Sequence, residues 1–159
     1  MYVTDCWIEE AYAKYADDLV RFATGLVGPA DAADVVSSVM LRVLGRSSTS
    51  SVDDSRAFLY RAVFNEARMH HRSTMRRRAR DLRTASPDRF EDSPTLRPDV
   101  LAAVAGLSLR QRAVVVLTYW SDLDDDAVGQ LLSISPGSVR RHLARARERL
   151  RRSINRDEA

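Results

Sequence analysis

Residues 122–152 read DLDDDAVGQLLSISPGSVRRHLARARERLRR, and the reading of this stretch decides the fold. Asp124 stands where it can cap a first helix that buries Val128, Leu131 and Leu132, and Ser135 followed by Pro136 starts a second. About three residues separate the two, a turn so tight that a small residue is needed at the crossing, and Gly129 supplies it. Ile134 is placed to plug the turn. In the second helix Val139, Leu143, Ala146, Leu150 and Ile154 recur at spacings of three and four, so they share one face. Arginines fill the remainder, which turns Ser138, Arg140, Arg141, His142 and Arg145 outward. A helix-turn-helix whose second helix leads with such a polar, arginine-rich end is shaped to enter the major groove of DNA, where arginine reaches guanine edges and phosphates.

Working upstream, the same test finds helices throughout. Trp7, Ala11, Tyr15, Leu19, Phe22, Ala23 and Leu26 mark one face of a helix that ends near Gly28-Pro29. A second helix starts around Pro29 to Asp31, offers Val35, Val39, Leu41, Val43 and Leu44 for packing, and stops at Gly45. RSSTSSVDDS, residues 46–55, has loop composition, and Ser55 is the expected cap of a third helix carrying Phe58, Leu59, Ala62, Val63, Ala67 and Met69. Residues 84–98, TASPDRFEDSPTLRP, hold three prolines and little apolar periodicity, so they read as a linker. Beyond it lie a short helix through VLAAVAGL and a longer one from about Ser108 to Trp120. The expected fold is all-α: a small helical domain over 1–83, a flexible linker over 84–97, and a four-helix domain with the helix-turn-helix over 98–159.

Charge alternates along this plan. The net of +3 over 159 residues conceals −5 in residues 1–55, +7 in 56–83, −4 in 84–132 and +7 in 133–156. Two basic segments, each preceded by an acidic one, predict two places that hold phosphate backbone and two surfaces that face something else. Of the basic side chains only Lys14 is not arginine.

Several function classes drop out. Cys6 is the sole cysteine, so internal disulfides and four-cysteine zinc sites are excluded, and a reducing cytoplasm fits. The acidic start MYVTDCWIEEAYAKYADD has no export signal, and no apolar run is long enough to predict membrane insertion. His70 and His71 point about 100° apart on a helix, with no ligand set beside them, so neither metal nor other cofactor is expected. No glycine-rich phosphate loop, nucleophile elbow or zinc motif is present, which argues against an enzyme.

With these residues in view, the chain resembles sigma factors of the extracytoplasmic-function group, over about residues 8–83 and 97–154. The stretch around the helix-turn-helix is similar to sigma region 4. The resemblance implies that Ser138, Arg140, Arg141, His142 and Arg145 read the minus-thirty-five promoter element, and that this domain docks on the polymerase beta flap. DAADVVSSVMLRVL, residues 31–44, is similar to the region 2 helix that grips the clamp coiled coil of the beta-prime subunit. The resemblance makes Asp34, Val35, Met40, Arg42 and Val43 its candidates. RAFLYRAVFNEARMHHRSTMRRR, residues 56–78, is similar to the part that melts the minus-ten element and captures its non-template strand. Single-stranded bases need rings to stack on and arginines for backbone, a mixture that Phe58, Tyr60, Asn65, Arg68 and Arg72 provide. Phe58 shares helical spacing with Ala62, so its ring reads as core as well as platform; Tyr60, off that stripe, is the ring expected at the surface.

The resemblance therefore implies core RNA polymerase, promoter DNA and an anti-sigma factor as partners. The sequence departs from the family pattern at Ala33 and Ser37-Ser38, where acidic and amide side chains are frequent. It departs again at Ser133, where glycine is usual, and in the acidic run Asp124-Asp125-Asp126. Two other functions share many of these features. A conventional helix-turn-helix regulator explains the carboxy-terminal half but not the basic segment at 72–83, and a sigma-like protein working mainly through protein contacts explains the departures.

Overall fold

The structure is a computed structural model that describes residues 6–45, 54–81 and 98–157; the linker expected at 84–97 and most of the loop expected at 46–55 lie outside the described residues. Seven helices and no strand occur among them: α1 (Cys6–Val27), α2 (Pro29–Leu44), α3 (Ser55–Arg80), α4 (Pro98–Ala105), α5 (Leu109–Tyr119), α6 (Asp125–Leu132) and α7 (Pro136–Asp157). No described helix is long and apolar enough to cross a membrane.

α1, α2 and α3 pack on one another to form the first domain, while α7 packs across α4, α5 and α6 to form the second. The apolar stripe of α1 is buried from Ile8 and Ala11 through Leu19, Phe22, Ala23 and Leu26, as its spacing predicts. Gly28 makes the corner into α2: its φ of 90° lies in the left-handed region, where a side chain would be strained, and Pro29 opens the next helix with a preset φ. α3 is capped one residue earlier than expected. The Asp54 carboxylate, not the Ser55 hydroxyl, accepts the Ala57 N–H at 2.9 Å. In the second domain Ser108 and Gln111 form a reciprocal capping box at the start of α5, which fixes where α4 ends and α5 begins.

The two domains are not held apart. α1 packs on α5 and α3 on α6, and one buried apolar cluster runs through both. Gly25 permits the closest approach, since a Cβ there would sit 2.5 Å from Val116 Cγ2. Arg112, only 6% exposed, straps the joint: it donates to the Leu26 carbonyl at the end of α1 and to Ala105 and Leu107 at the end of α4. A cation at two helix C-termini meets the negative ends of two helix dipoles, which is why an arginine without a carboxylate is tolerated there. Burial nonetheless pulls its pKa below the ordinary arginine value.

Candidate nucleic-acid interface

The helix-turn-helix is built from local hydrogen bonds that the sequence announces. Asp124 accepts the Ala127 N–H at 2.8 Å and so caps α6; the Ser135 hydroxyl accepts the Ser138 N–H at 3.1 Å and caps α7. Between them Ser133 adopts the left-handed conformation, φ 57° and ψ 44°, at the position where a glycine would be unstrained. A Cβ on Gly129 would lie 2.6 Å from the Ile134 carbonyl oxygen, so its smallness serves the turn's own backbone.

α7 then buries Val139, Leu143 and Ala146 and exposes Arg140, Arg141 and Arg145. Arg140 is paired with Asp125 of α6 at 3.4 Å, so one of the three acids of the run orients a groove-facing arginine and offsets part of its charge. Ser138 is half-buried, its hydroxyl 3.0 Å from that of Ser135. His142 is also half-buried, and its Nδ1 is enclosed with no partner. Burial, then Arg110, Arg145 and Arg141, hold its pKa below the ordinary histidine value, so the ring is neutral at pH 7. The leading end of α7 therefore presents three cations and a neutral imidazole.

α3 carries the second basic face. Arg61, Asn65, Arg68 and Arg72 are all exposed and recur at four, three and four residues, forming one stripe along the helix. Arg61 escaped the sequence reading, although its place in that spacing was available; in the structure it donates to the Gln130 carbonyl of α6 at 2.7 Å. The expectation for Tyr60 is overturned. Its ring is 1% exposed and tilted against Phe22 at 5.1 Å, with the Arg56 guanidinium 5.7 Å from its centre. Burial first, then Asp18, push the phenol's pKa up. A ring so enclosed offers no face for stacking. Phe58 is half-buried and meets Trp7 edge-on at 5.9 Å. The aromatic at the domain joint is Phe64, which the sequence reading passed over: the Arg110 guanidinium lies 5.0 Å from its ring centre and covers it.

On α2 the candidates divide. Asp34 and Arg42 are exposed, and Arg42 is hydrogen-bonded to Glu66 of α3. Val35, Met40 and Val43 are buried with Ala32, Val36 and Val39, so those three offer little surface to another protein while the domain is folded. The outward face is instead Ala33, Asp34, Ser37, Ser38, Leu41 and Arg42, with Leu41 72% exposed. Leu41, expected in the core, sits off the buried stripe by one residue. His70 pairs with Asp31 at 3.1 Å, and no group of three metal-ligating side chains occurs among the described residues.

Comparison with known proteins gives concordant findings. The family model for sigma-70 region 2 matches residues 11–77, and that for sigma-70 region 4 matches residues 97–150. The RNA polymerase sigma-E factor of Streptomyces antibioticus is 32% identical over 155 residues, spanning 92% of this chain and 83% of the relative. That of Streptomyces coelicolor is 32% identical over 161 residues, spanning 92% and 85%. Among solved structures, the sigma factor RpoE of Bartonella quintana, crystallised with the anti-sigma factor NepR, superposes with a TM-score of 0.62 at 19% identity, covering 92% of this chain and 96% of that one.

Proposed function

The chain belongs to the sigma-70 family as an RNA polymerase sigma factor of the extracytoplasmic-function group, and from that membership we propose how its two basic helices divide the work at a promoter. α7 lays its leading end in the major groove of the minus-thirty-five element. There Arg140, Arg141 and Arg145 reach guanine edges and phosphates, and Ser138 and the neutral His142 add short hydrogen bonds. α3 takes the melted minus-ten element. The stripe of Arg61, Asn65, Arg68 and Arg72 tracks the non-template strand, with Phe58 at its start as the ring for stacking. The observation that carries this reading is the pair of exposed arginine faces, one on each domain.

Core RNA polymerase is the obligatory partner. The outward face of α2, with Asp34, Leu41 and Arg42, grips the clamp coiled coil of beta-prime; the region over 98–159 docks on the beta flap, and residues 84–97 join it to the region over 1–83. The protein performs no chemistry itself and works in the cytoplasm, where the polymerase is. An anti-sigma factor fits the same exposed faces.

The packed form is the factor at rest. On the promoter the domains part, so that α3 and α7 can reach separate elements. A chain of some 15 linking residues reaches about 50 Å at about 3.3 to 3.6 Å per residue, enough for that parting. Phe64 loses its Arg110 cover in the same step and becomes a second ring for the strand.

Run-off transcription with core polymerase and a promoter library tests the proposal. Transcripts starting downstream of one shared pair of elements are expected. Duplex binding in gel shifts with no stimulation of polymerase would contradict it and favour a conventional regulator.

A further inference from the structure

The acidic run Asp124-Asp125-Asp126 stands at the start of α6, beside the helix that reads DNA, where a carboxylate repels the phosphates of a bound duplex. Its three members are placed differently. Asp124 caps α6 by accepting the Ala127 N–H, and Asp126 is exposed in the first turn, where the helix dipole favours its charge. Asp125 is the half-buried member, turned toward α7, and its Oδ2 accepts from Nη1 of Arg140 at 3.4 Å.

The other terminal nitrogen of Arg140, Nη2, lies 3.9 Å from where a Cβ on Gly137 would stand, so the guanidinium is folded back over the first turn of its own helix. Its side chain is still 66% exposed, open to a ligand. A guanidinium carries its N–H donors in a planar fork, and with Nη1 on the carboxylate the adjacent Nε and Nη2 remain as a pair of parallel donors. That pair matches O6 and N7 of guanine in the major groove. Among the described residues no carboxylate is paired with Arg141 or Arg145, so of the three exposed arginines at this end only Arg140 is set before DNA arrives.

An exposed ion pair contributes little to stability, so holding the fold together does not explain a carboxylate placed against a DNA-facing cation. Its effect falls on discrimination. An unheld arginine settles on a phosphate or a base edge, whichever is nearer, and so adds affinity for any duplex. One whose fork is aimed in advance favours the partner that fits it. We propose that Asp125 is a positioning residue for the minus-thirty-five contact, fixing Arg140 so that its Nε and Nη2 read one guanine. This rests on the reading of α7 as the minus-thirty-five helix. Asp125 lowers affinity, by its own charge beside the phosphates and by keeping one cation from them, and raises selectivity.

The test uses holoenzyme formed from core RNA polymerase and the full-length chain. Promoters selected from a library randomised at the minus-thirty-five element identify the base whose preference Arg140→Ala abolishes, and guanine is expected. Binding is then measured over a range of salt on the selected promoter and on the same promoter with that guanine replaced. The unchanged chain is expected to prefer the first by about 5- to 150-fold, the range of a bidentate contact. Asp125→Ala cuts that ratio by at least about threefold, yet binds the replaced promoter more tightly and with a steeper salt dependence, because Arg140 is then free to take a phosphate. A merely structural role for Asp125 would instead weaken binding to both promoters alike. Asp126→Ala removes the same charge from the same turn; it raises affinity for both promoters and leaves the ratio within about twofold. In an Arg140→Ala background, Asp125→Ala leaves the ratio unchanged. A base other than guanine, preference intact in Arg140→Ala, a ratio kept by Asp125→Ala, or one lost equally by Asp126→Ala would overturn the proposal. Preference intact in Arg141→Ala and Arg145→Ala as well would bring down the reading of α7 itself.

Discussion

α3 and α7 are the two arginine-rich helices of this molecule, each packed on three others, and they differ in how far those neighbours reach round them. α7 lies across one side of its domain. It buries the narrow stripe of Val139, Leu143 and Ala146, with Ser138, His142 and Leu150 half-buried beside it and its arginines exposed. α3 is packed on by α1, α2 and α6. Its core therefore wraps part of the way round, taking in Leu59, Tyr60, Val63, Phe64 and Ala67. A helix covered along one stripe shows its function in its periodicity; a helix covered over a wider arc hides part of it.

The sharpest way to break this comparison is at Tyr60. Because its ring fills the core against Phe22, Tyr60→Ala is expected to cost about 3–5 kcal/mol in urea unfolding, in line with other large aromatic deletions. A loss under about 1 kcal/mol with promoter opening impaired would return Tyr60 to the strand-reading surface. Arg112 comes next. Arg112→Met leaves the carbonyls of Leu26, Ala105 and Leu107 without their donor, and a buried acceptor so stranded costs about 1–3 kcal/mol. The expected result is a longer distance between labels on α2 and α7, with helix content unchanged by circular dichroism. An unchanged distance would show that the strap is dispensable.

Much of this was legible beforehand. All seven helices, the Asp124 cap, the tight turn before Pro136 and the burial of Val139, Leu143 and Ala146 follow from local rules, because caps, short turns and one-sided periodicity depend only on residues a few positions apart, while Leu150 is only half-buried and Ile154 is exposed. What failed depended on distant neighbours. Met40 joins Val35 and Val43 in the core because α1 and α3 both press on α2, which leaves Leu41 outside. Tyr60 is buried because Phe22, distant in sequence, stands opposite it. The packing of one domain on the other carries no local signature: it rests on Gly25 meeting Val116 and on one arginine bridging two helix ends.

Smaller effects sharpen the picture of α7. Ser133→Gly relieves a left-handed serine and is expected to raise stability by about 1 kcal/mol, read as a higher urea midpoint; no change would mean that the turn is unstrained. His142 gives a pH dependence. Its folded pKa lies below its ordinary value of 6.5, so folding disfavours the protonated ring. Its contribution is complete above pH 6.5 and is lost as pH falls from there through the lowered folded value. His142→Gln should therefore narrow the difference in urea midpoint between pH 7.5 and pH 5.5; an equal or wider difference would place the effect elsewhere.

The central claim is that α7 and α3 read different promoter elements, and promoter selection with paired variants tests it most directly. Transcription by core polymerase with the unchanged chain, with Arg141→Ala and with Asn65→Ala would be sequenced from a library randomised at both elements. The account predicts that Arg141→Ala relaxes preference only at minus-thirty-five positions, by about 1–3 kcal/mol at the base it contacts, and that Asn65→Ala relaxes it only at minus-ten positions. Loss of preference at both elements from either substitution, or at neither, would contradict it.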